Sequence, residues 1–222
     1  VPSKNYVTKK VRVGKFDGIS TATSIDVAYT QTSGSQDIEI FAPDNLVDYV
    51  NVAVEEGVLK VRFRSEDSKQ GLSIKGDHKT EVRVSAPAVH IFRTSSNGDI
   101  VLKNGLQTYG EVNVKSSSNG DVEGGTIVCG ALVATASSNG DITLEGAECT
   151  SLDADASSNG DVSIKHIKAE TVEADASSNG DVNLSGVCRS AKLTASSNGD
   201  VEAKNLKADV VVAKASSTGD VT

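Results

Sequence analysis

Apolar and polar residues alternate along most of the chain, and from about residue 90 the alternation recurs at a regular interval. In one such segment, Leu132, Ala134 and Ala136 precede a polar turn, and Ile142 and Leu144 follow it. Alternation with a period of two places one set of side chains on one face of a β-strand. No long stretch has the 3.6-residue period of an amphipathic helix, so the chain is predicted to be all-β.

The polar turns contain a repeated pentapeptide. Ser-Ser-Asn-Gly-Asp occurs six times, and a seventh copy reads Ser-Ser-Thr-Gly-Asp. Successive glycines of the copies are 22, 20, 20, 20, 19 and 20 residues apart, which is typical of a solenoid. The predicted structural turn residues are Asn97, Gly98, Asp99, Asn119, Gly120, Asp121, Asn139, Gly140, Asp141, Asn159, Gly160, Asp161, Asn179, Gly180, Asp181, Asn198, Gly199, Asp200, Gly219 and Asp220.

A series of β-hairpins is the alternative, because Asn-Gly between alternating runs is a strong hairpin signal. A two-residue turn at Asn179 and Gly180 would place Ala176 and Val182 on opposite faces, whereas a three-residue turn would restore their parity. The small alanines before each turn suit a narrow coil, and a nearly unchanged turn favours stacked neighbours. We therefore predict a β-solenoid, resembling a single-stranded β-helix, of seven coils of about 20 residues. Right-handed winding is the default expectation.

Each residue of the turn has a predicted role. Glycine would supply a positive φ angle, and the asparagine before it tolerates the left-handed conformation. Stacked asparagines would form a ladder of side-chain amides between coils. The aspartate after the glycine would accept backbone N–H groups.

Residues 1–92 lack the repeat and are predicted to form an N-terminal β region that caps the solenoid of residues 93–222. The sequence leaves open whether this region is a separate domain or irregular coils of the same sheet. Glu55-Glu56-Gly57 predicts a hairpin turn, and residues 65–76 predict a polar loop. Six alternating runs predict strands, at Val7–Val13, Ser24–Tyr29, Asp37–Phe41, Tyr49–Val54, Val58–Phe63 and Glu81–Ser85.

The charge of the chain is unevenly distributed. The net charge is −8, and residues 93–222, with 10 basic and 18 acidic residues, account for all of it. An acidic solenoid argues against nucleic acid as a partner, because nucleic-acid binding requires a positive surface. No apolar run approaches the roughly 18 residues of a membrane span. The sequence begins at Val1 and contains no methionine, so it lacks an initiator residue and is expected to be a processed or trimmed chain; a removed signal peptide would explain this.

Three cysteines, an odd number, occur at Cys129, Cys149 and Cys188. Cys129 and Cys149 lie one repeat apart and would stack at about 4.8 Å, within reach of a disulfide. Their side chains would point the same way, which favours buried thiols, and the sequence leaves their pairing open. No cysteine has the spacing of a metal ligand, and no cofactor or metal is predicted.

The order of several features resembles the head GIN domain family, which consists of proposed auto-transporter adhesins common in Bacteroides-like bacteria. The resemblance is carried by Phe16-Asp17-Gly18-Ile19, Ile25-Asp26-Val27, Ile38-Glu39-Ile40 and Glu56-Gly57-Val58-Leu59, followed by the Asn-Gly-Asp repeats. It implies export to the periplasm, outer membrane or cell surface and a role in cell adhesion, and it supplies no catalytic residues. Some relatives are labelled pectinase-like, which is an analogy of shape.

We predict a non-catalytic adhesin that binds an extracellular glycan or protein through the polar rows of its flat faces. The oligomeric state and the ligand are left open. The sequence predicts no exposed aromatic platform for stacking on a sugar. A structural spacer or scaffold is the first alternative.

A polysaccharide-acting enzyme is the second alternative, because such enzymes use paired carboxylates. The residues that break the repeat, Tyr109, Lys165, His166 and Arg189, are scattered and form no evident acid–base constellation. His90 is expected to be structural, and His78 and His166 are expected to lie in loops. The stacked aspartates also suggest calcium, because a bridging cation would relieve their repulsion, although each aspartate is expected to be used within its own turn.

Overall fold

A computed structural model describes residues 1–64 and 73–222, so residues 65–72 of the predicted loop lie outside the described part. About 60% of the chain is strand. In the described ranges there is no α-helix, and one short 3₁₀ helix spans Val47–Tyr49. The prediction of an all-β fold is confirmed.

Seventeen strands belong to one hydrogen-bonded sheet system. The N-terminal strands are β1 (Tyr6–Val11), β2 (Gly18–Thr21), β3 (Asp26–Gln31), β4 (Asp37–Pro43), β5 (Val50–Glu55), β6 (Val58–Phe63) and β7 (Glu81–Ala86). The strands that follow are β8 (Ile91–Thr94), β9 (Ile100–Leu102), β10 (Leu106–Gln107), β11 (Glu111–Ser116), β12 (Val122–Val128), β13 (Ala131–Ala136), β14 (Ile142–Ala156), β15 (Val162–Ala176), β16 (Val182–Ala195) and β17 (Val201–Ala215).

The repeats stack as parallel coils. Leu132 pairs with Leu152, and Leu152 pairs with Val172, so each coil lies beside the coil 20 residues later. In the described chain all pairings among β8–β17 are parallel, which confirms the solenoid and rules out hairpins there. The solenoid makes about six turns. After the seventh turn copy, Val221 forms an isolated parallel bridge with Val201.

Parallel stacking extends into the N-terminal region, where spatial order departs from chain order. β2 and β3 lie in register against β8 and β9, so residues 18–31 form a coil next to the first pentapeptide coil. On their other side, β2 pairs with β6 and β3 pairs with β7. The second layer of the stack is therefore made by the first 31 residues, between two layers made later in the chain. The domain boundary at residues 92 and 93 stays a prediction.

Antiparallel strands cover the N-terminal end of the stack. β5 pairs with β6 through the predicted hairpin turn, in which Glu56 and Gly57 have φ angles of 52° and 77°. β4 pairs with β7, and β1 pairs with the other edge of β4. The outer strand β1 carries Lys9 and Lys10, which is a common protection of an exposed sheet edge.

The core changes in character along the stack. In the N-terminal layers it is filled by large side chains, and the Tyr29 and Phe92 rings meet edge to face with centroids 5.2 Å apart. In the repeats it is filled by Val, Ile and Leu together with fully buried alanines such as Ala134 and Ala154. The small residues let the coil close tightly, which leaves functional side chains on the outside of the stack.

Candidate functional site

The predicted asparagine ladder is present along one outer edge. Each Asn Nδ2 donates to the Oδ1 of the asparagine in the preceding coil, at 2.9–3.1 Å from Asn119 through Asn198. At the seventh turn, the Thr218 hydroxyl donates to Asn198 Oδ1. The amides all run in one direction, so the turns are fixed relative to one another by side chains as well as by backbone.

The aspartates also form a ladder, but between coils rather than within their own turns. The Asp121 N–H donates to Asp99 Oδ1 at 2.8 Å, and the same contact continues to Asp220. The ladder begins earlier than the pentapeptide, because the Asp99 N–H donates to Asp26 Oδ1 at 3.0 Å. Asp26 was missed in the sequence, although an apolar strand follows it as it follows each repeat aspartate.

Calcium at the aspartate ladder stays a hypothesis. One oxygen of each carboxylate from Asp26 to Asp200 already accepts a backbone N–H. Burial raises the pKa of Asp161, and neighbouring Asp141 and Asp181 raise it further, against the lowering effect of the bond from the Asp181 N–H. In the part of the chain that the structure describes, no group of three or more His, Cys, Asp or Glu residues is arranged to hold a metal ion.

The prediction that the turn glycines supply a positive φ angle is wrong. None of the seven has a φ angle in the left-handed region; in five copies it is the second serine, from Ser138 to Ser217, that has φ between 59° and 76°. The glycines are needed because the coils approach closely. A Cβ added at Gly180 would lie 2.6 Å from the Gly160 carbonyl oxygen and 2.9 Å from backbone atoms of Ala156 and Ser157 in the preceding coil.

The turn conformation follows the residue that ends the preceding strand. In the first two copies this residue is Thr94 or Ser116, whose buried hydroxyl donates to the carbonyl of its turn glycine at 2.6 Å. From Ala136 onward the hydroxyl is replaced by a methyl group, and the second serine adopts the left-handed conformation. Among the pentapeptide copies, the left-handed serine therefore occurs where no hydroxyl at the end of the preceding strand donates to the carbonyl of the turn glycine.

A groove runs along the outside of the stack on the face made by β11, β13, β14, β15, β16 and β17. It has a volume of about 490 Å³ and extends from Glu111 to Val212. One register row along it runs through Glu111, Ala131, Ser151, Thr171, Ser190 and Val210. The next row runs through Val133, Asp153, Glu173, Lys192 and Val212. The middle coils therefore present hydroxyl and charged groups at the spacing of adjacent strands, and two valines lie at the C-terminal end.

The groove is acidic in its middle. Burial raises the pKa of Asp153, and the carboxylates of Glu173, Asp155 and Asp175 raise it further. Burial and Asp175 likewise raise the pKa of Asp155. The Lys192 Nζ lies 3.3 Å from Glu173 Oε1 and neutralises part of this charge. The arrangement offers hydrogen-bond acceptors to an extended ligand and disfavours a strongly anionic one.

Histidines are distributed over separate parts of the molecule. His78 Nδ1 lies 2.9 Å from Thr80 Oγ1, and the exposed His166 Nδ1 lies 2.9 Å from the Glu145 carbonyl oxygen. His166 lies within β15 rather than in a loop, with a φ angle of 48°. His90 links three layers: its Nδ1 lies 2.6 Å from Asp17 Oδ1, and its Nε2 lies 2.9 Å from Thr108 Oγ1.

The chain of contacts from Asp17 through His90 to Thr108 has the order of an orienting acid, a base and a nucleophile, but its geometry is that of a clamp. His90 Nε2 also lies 3.0 Å from the Tyr109 carbonyl oxygen. A carbonyl oxygen only accepts hydrogen bonds, so this contact requires a proton on Nε2. A protonated Nε2 cannot take a proton from the Thr108 hydroxyl.

The three cysteines are free thiols. Cys129 is buried, and burial raises its pKa to about 11. Burial, with a contribution from Cys129, raises the pKa of Cys149 to about 12. Cys188 lies two coils beyond Cys149, separated from it by Ala169.

Contrary to the sequence-based expectation, the solenoid does expose an aromatic ring. Tyr109 is 93% exposed and is the only aromatic residue after residue 92. Its coil has three residues, Thr108 to Gly110, where the next coil has two, Cys129 and Gly130. The 22-residue step between Gly98 and Gly120 is a sequence signal of extra residues in this coil, but residue alternation does not show that the Tyr109 side chain is exposed.

Comparison with known proteins places the chain in a family. The family described as "Putative auto-transporter adhesin, head GIN domain" matches residues 15–183 and again residues 147–222. The chain belongs to this family. The sequence-based resemblance to head GIN domain proteins is thereby confirmed. No match to the chain is found among curated proteins.

Solved structures from Bacteroidales share the fold of this head GIN domain chain. A "putative adhesin" from Bacteroides fragilis is 23% identical with a TM-score of 0.82, covering 99% of this chain and 97% of its own. One from Parabacteroides merdae is 20% identical with a TM-score of 0.78, covering 100% and 98%. A "putative lipid binding protein" from Parabacteroides distasonis is 16% identical with a TM-score of 0.69, covering 100% and 98%. At these identities the likeness concerns the fold. In the described residues, no helix has the length and apolar character needed to cross a membrane.

Proposed function

We propose that this chain is an exported, non-catalytic binding protein of the adhesin type, which holds an extended extracellular ligand in the groove that runs from Glu111 to Val212. The observation that carries the proposal is the groove itself, since it crosses six neighbouring strands and presents polar rows in register. Membership of an adhesin family supports it. The amide and carboxylate ladders support it further, because a rigid scaffold loses little conformational freedom on binding.

The groove can be tested by filling it. Thr171→Arg would place a long side chain in the middle of the groove, and Ser163→Arg would place the same group on another outer face of the same coil. The wild-type chain and both variants would be applied to an array of glycans and extracellular matrix proteins. We expect a specific ligand that Thr171→Arg loses and Ser163→Arg retains. Equal loss or equal retention would refute the groove as the binding site.

The spacer alternative follows from the continuous ladders, which would stiffen a stalk as well as a binding scaffold. A wild-type chain that binds nothing on the array would favour the spacer. The enzyme alternative rests on the raised pKa values of Asp153 and Asp155, which are a feature of functional carboxylates. Turnover of a polysaccharide panel that is abolished by Asp153→Asn would favour the enzyme.

A further inference from the structure

Tyr109 precedes the N-terminal end of the groove, and its backbone is held by other residues. Tyr109 does not itself line the groove, but Glu111, two residues later, is the first residue of the chain that does. The Gly110 carbonyl oxygen accepts the N–H groups of Gly130 at 2.9 Å and Ala131 at 3.1 Å. The backbone on the C-terminal side of Tyr109 is therefore fixed to the next coil.

His90 fixes the other side of the insertion. Its Nε2 lies 3.0 Å from the Tyr109 carbonyl oxygen, and its Nδ1 is oriented by Asp17 at 2.6 Å. The His90 carbonyl oxygen also accepts the Asn113 N–H at 2.8 Å. The backbone is therefore bonded on both sides of a ring that is 93% exposed, which fixes the point from which the ring projects and lowers the cost of ordering this segment on binding.

The surroundings of Tyr109 identify the chemistry of that partner. A tyrosine ring offers an apolar face and a polar tip, and binding sites for small polar molecules combine such a ring with a few hydroxyl and carboxylate groups. Here the ring precedes Glu111 by two residues, and the groove beyond Glu111 carries the hydroxyls of Ser151, Thr171 and Ser190. A sugar chain has this complementary character, because each ring has an apolar face and a rim of hydroxyls. A protein interface would be expected to have an apolar core of several residues around the tyrosine.

The charge of the groove selects among sugar chains. Glu111, Asp153 and Glu173 line it, and Lys192 is the only basic residue in its lining. A chain of uronic acids would meet carboxylate with carboxylate, which is unfavourable. The ligand that fits is an uncharged glycan.

We propose that Tyr109 is the stacking platform for one ring of an uncharged, extended glycan whose remaining rings lie along the groove, with His90 as a positioning residue. This inference rests on the proposed binding function and names its ligand class. Asp17 orients His90, and the exposed part of its carboxylate is available to sugar hydroxyls.

The test uses the full chain with ¹³C-labelled tyrosine rings, so that four ring signals report on four tyrosines. Cello-, malto-, chito- and xylohexaose and a polygalacturonate hexamer would be titrated separately. We expect one uncharged hexasaccharide to shift the Tyr109 signal, which the Tyr109→Phe spectrum assigns. Tyr109→Ala should weaken that binding about tenfold, as expected for an anchoring tyrosine, whereas Tyr109→Phe should retain most of it.

Two further variants separate stacking from general effects. Val187→Ala removes another exposed apolar side chain, outside the groove lining, and should leave the affinity unchanged. His90→Gln should weaken binding several-fold and broaden the Tyr109 signal, because the backbone that carries the ring would lose its contact with the His90 imidazole. Loss of affinity without any change in that signal would assign His90 another role.

The outcomes distinguish this inference from the proposed function. Binding that Thr171→Arg abolishes but Tyr109→Ala does not would overturn the platform and leave the groove intact. Binding of a matrix protein with no hexasaccharide, or preference for the polygalacturonate hexamer, would also overturn it while leaving an adhesin. A chain that binds no glycan and no protein would overturn both.

Discussion

Because neighbouring coils approach closely at the turn glycines, a methyl group added to one of these glycines should push two coils apart. In Gly180→Ala, the added carbon would lie 2.6 Å from the Gly160 carbonyl oxygen, whereas ordinary contact begins at 3.4 Å. The difference, 3.4 − 2.6 = 0.8 Å, must be absorbed by backbone, because the carbonyl carbon of Ala156 and the nitrogen of Ser157 are also only 2.9 Å away. The turn is held to its neighbour by the Asn179 N–H, 2.7 Å from the Ser158 carbonyl oxygen.

Overpacking of this kind costs about 1–3 kcal/mol. Weakening one inter-coil hydrogen bond adds about 1 kcal/mol. We therefore expect Gly180→Ala to lower the free energy of unfolding by about 2–4 kcal/mol, as measured by denaturant unfolding followed by circular dichroism.

Two matched glycines separate space from backbone conformation. Gly34 has nothing within 4 Å of an added Cβ and no left-handed φ angle, so Gly34→Ala should change stability by less than about 0.5 kcal/mol. Gly57 has equal space but a φ angle of 77°, so Gly57→Ala should cost roughly 1–2 kcal/mol from conformation alone. If Gly180→Ala proves as mild as Gly34→Ala, the reasoning from close approach is refuted.

Three further predictions follow from the ladders and the buried groups. Asn159→Ala removes two hydrogen bonds of the asparagine ladder, and Asn97→Ala removes one. In the same assay, Asn159→Ala should lower the free energy of unfolding by roughly 1–2 kcal/mol, about twice the effect of Asn97→Ala. Equal effects of the two variants would contradict a ladder. The folded-state pKa of Asp155 is raised above 3.8, so its stabilising contribution is present below that pH and is lost as the pH rises; Asp155→Asn should raise the melting temperature at pH 7 but not at pH 3.5, and a constant difference would argue against it. Cys129 and Cys149, with pKa values of about 11 and 12, should react with Ellman's reagent at pH 8 far more slowly in the native chain than in denaturant, and fast native labelling of both would show that they are accessible.

Alternation and periodicity predicted the repeat part of the fold because both report which side chains face the core. Ala134, Leu152 and Ile164 are all buried as their positions in the pattern required. The layer formed by residues 18–31 was not predicted, because it lacks the pentapeptide and stacks out of chain order. Its Asp26 occupies the position of the repeat aspartates, but a single aspartate outside a Ser-Ser-Asn-Gly-Asp turn is too weak a pattern to identify from the sequence.

The features that the sequence did not predict depend on how neighbouring layers lie against one another. Glycine is suited both to positive φ and to close contact, and a single sequence does not distinguish these needs. The exposure of Tyr109 depends on the position of one extra residue relative to the next coil. Strand register decides that position. The groove likewise depends on which outward rows adjoin in space.

The interleaving of layers at the N-terminal end affects the order in which the protein can fold. Residues 18–31 are synthesised early, but their coil forms hydrogen bonds on one side only once β6 and β7 are present, and on the other side only once β8 and β9 are present. These contacts join residues about 40 to 75 positions apart, whereas each repeat joins residues about 20 apart. Loop closure must therefore precede stabilisation at this end, so the N-terminal layers are expected to form more slowly than the contacts between neighbouring repeats.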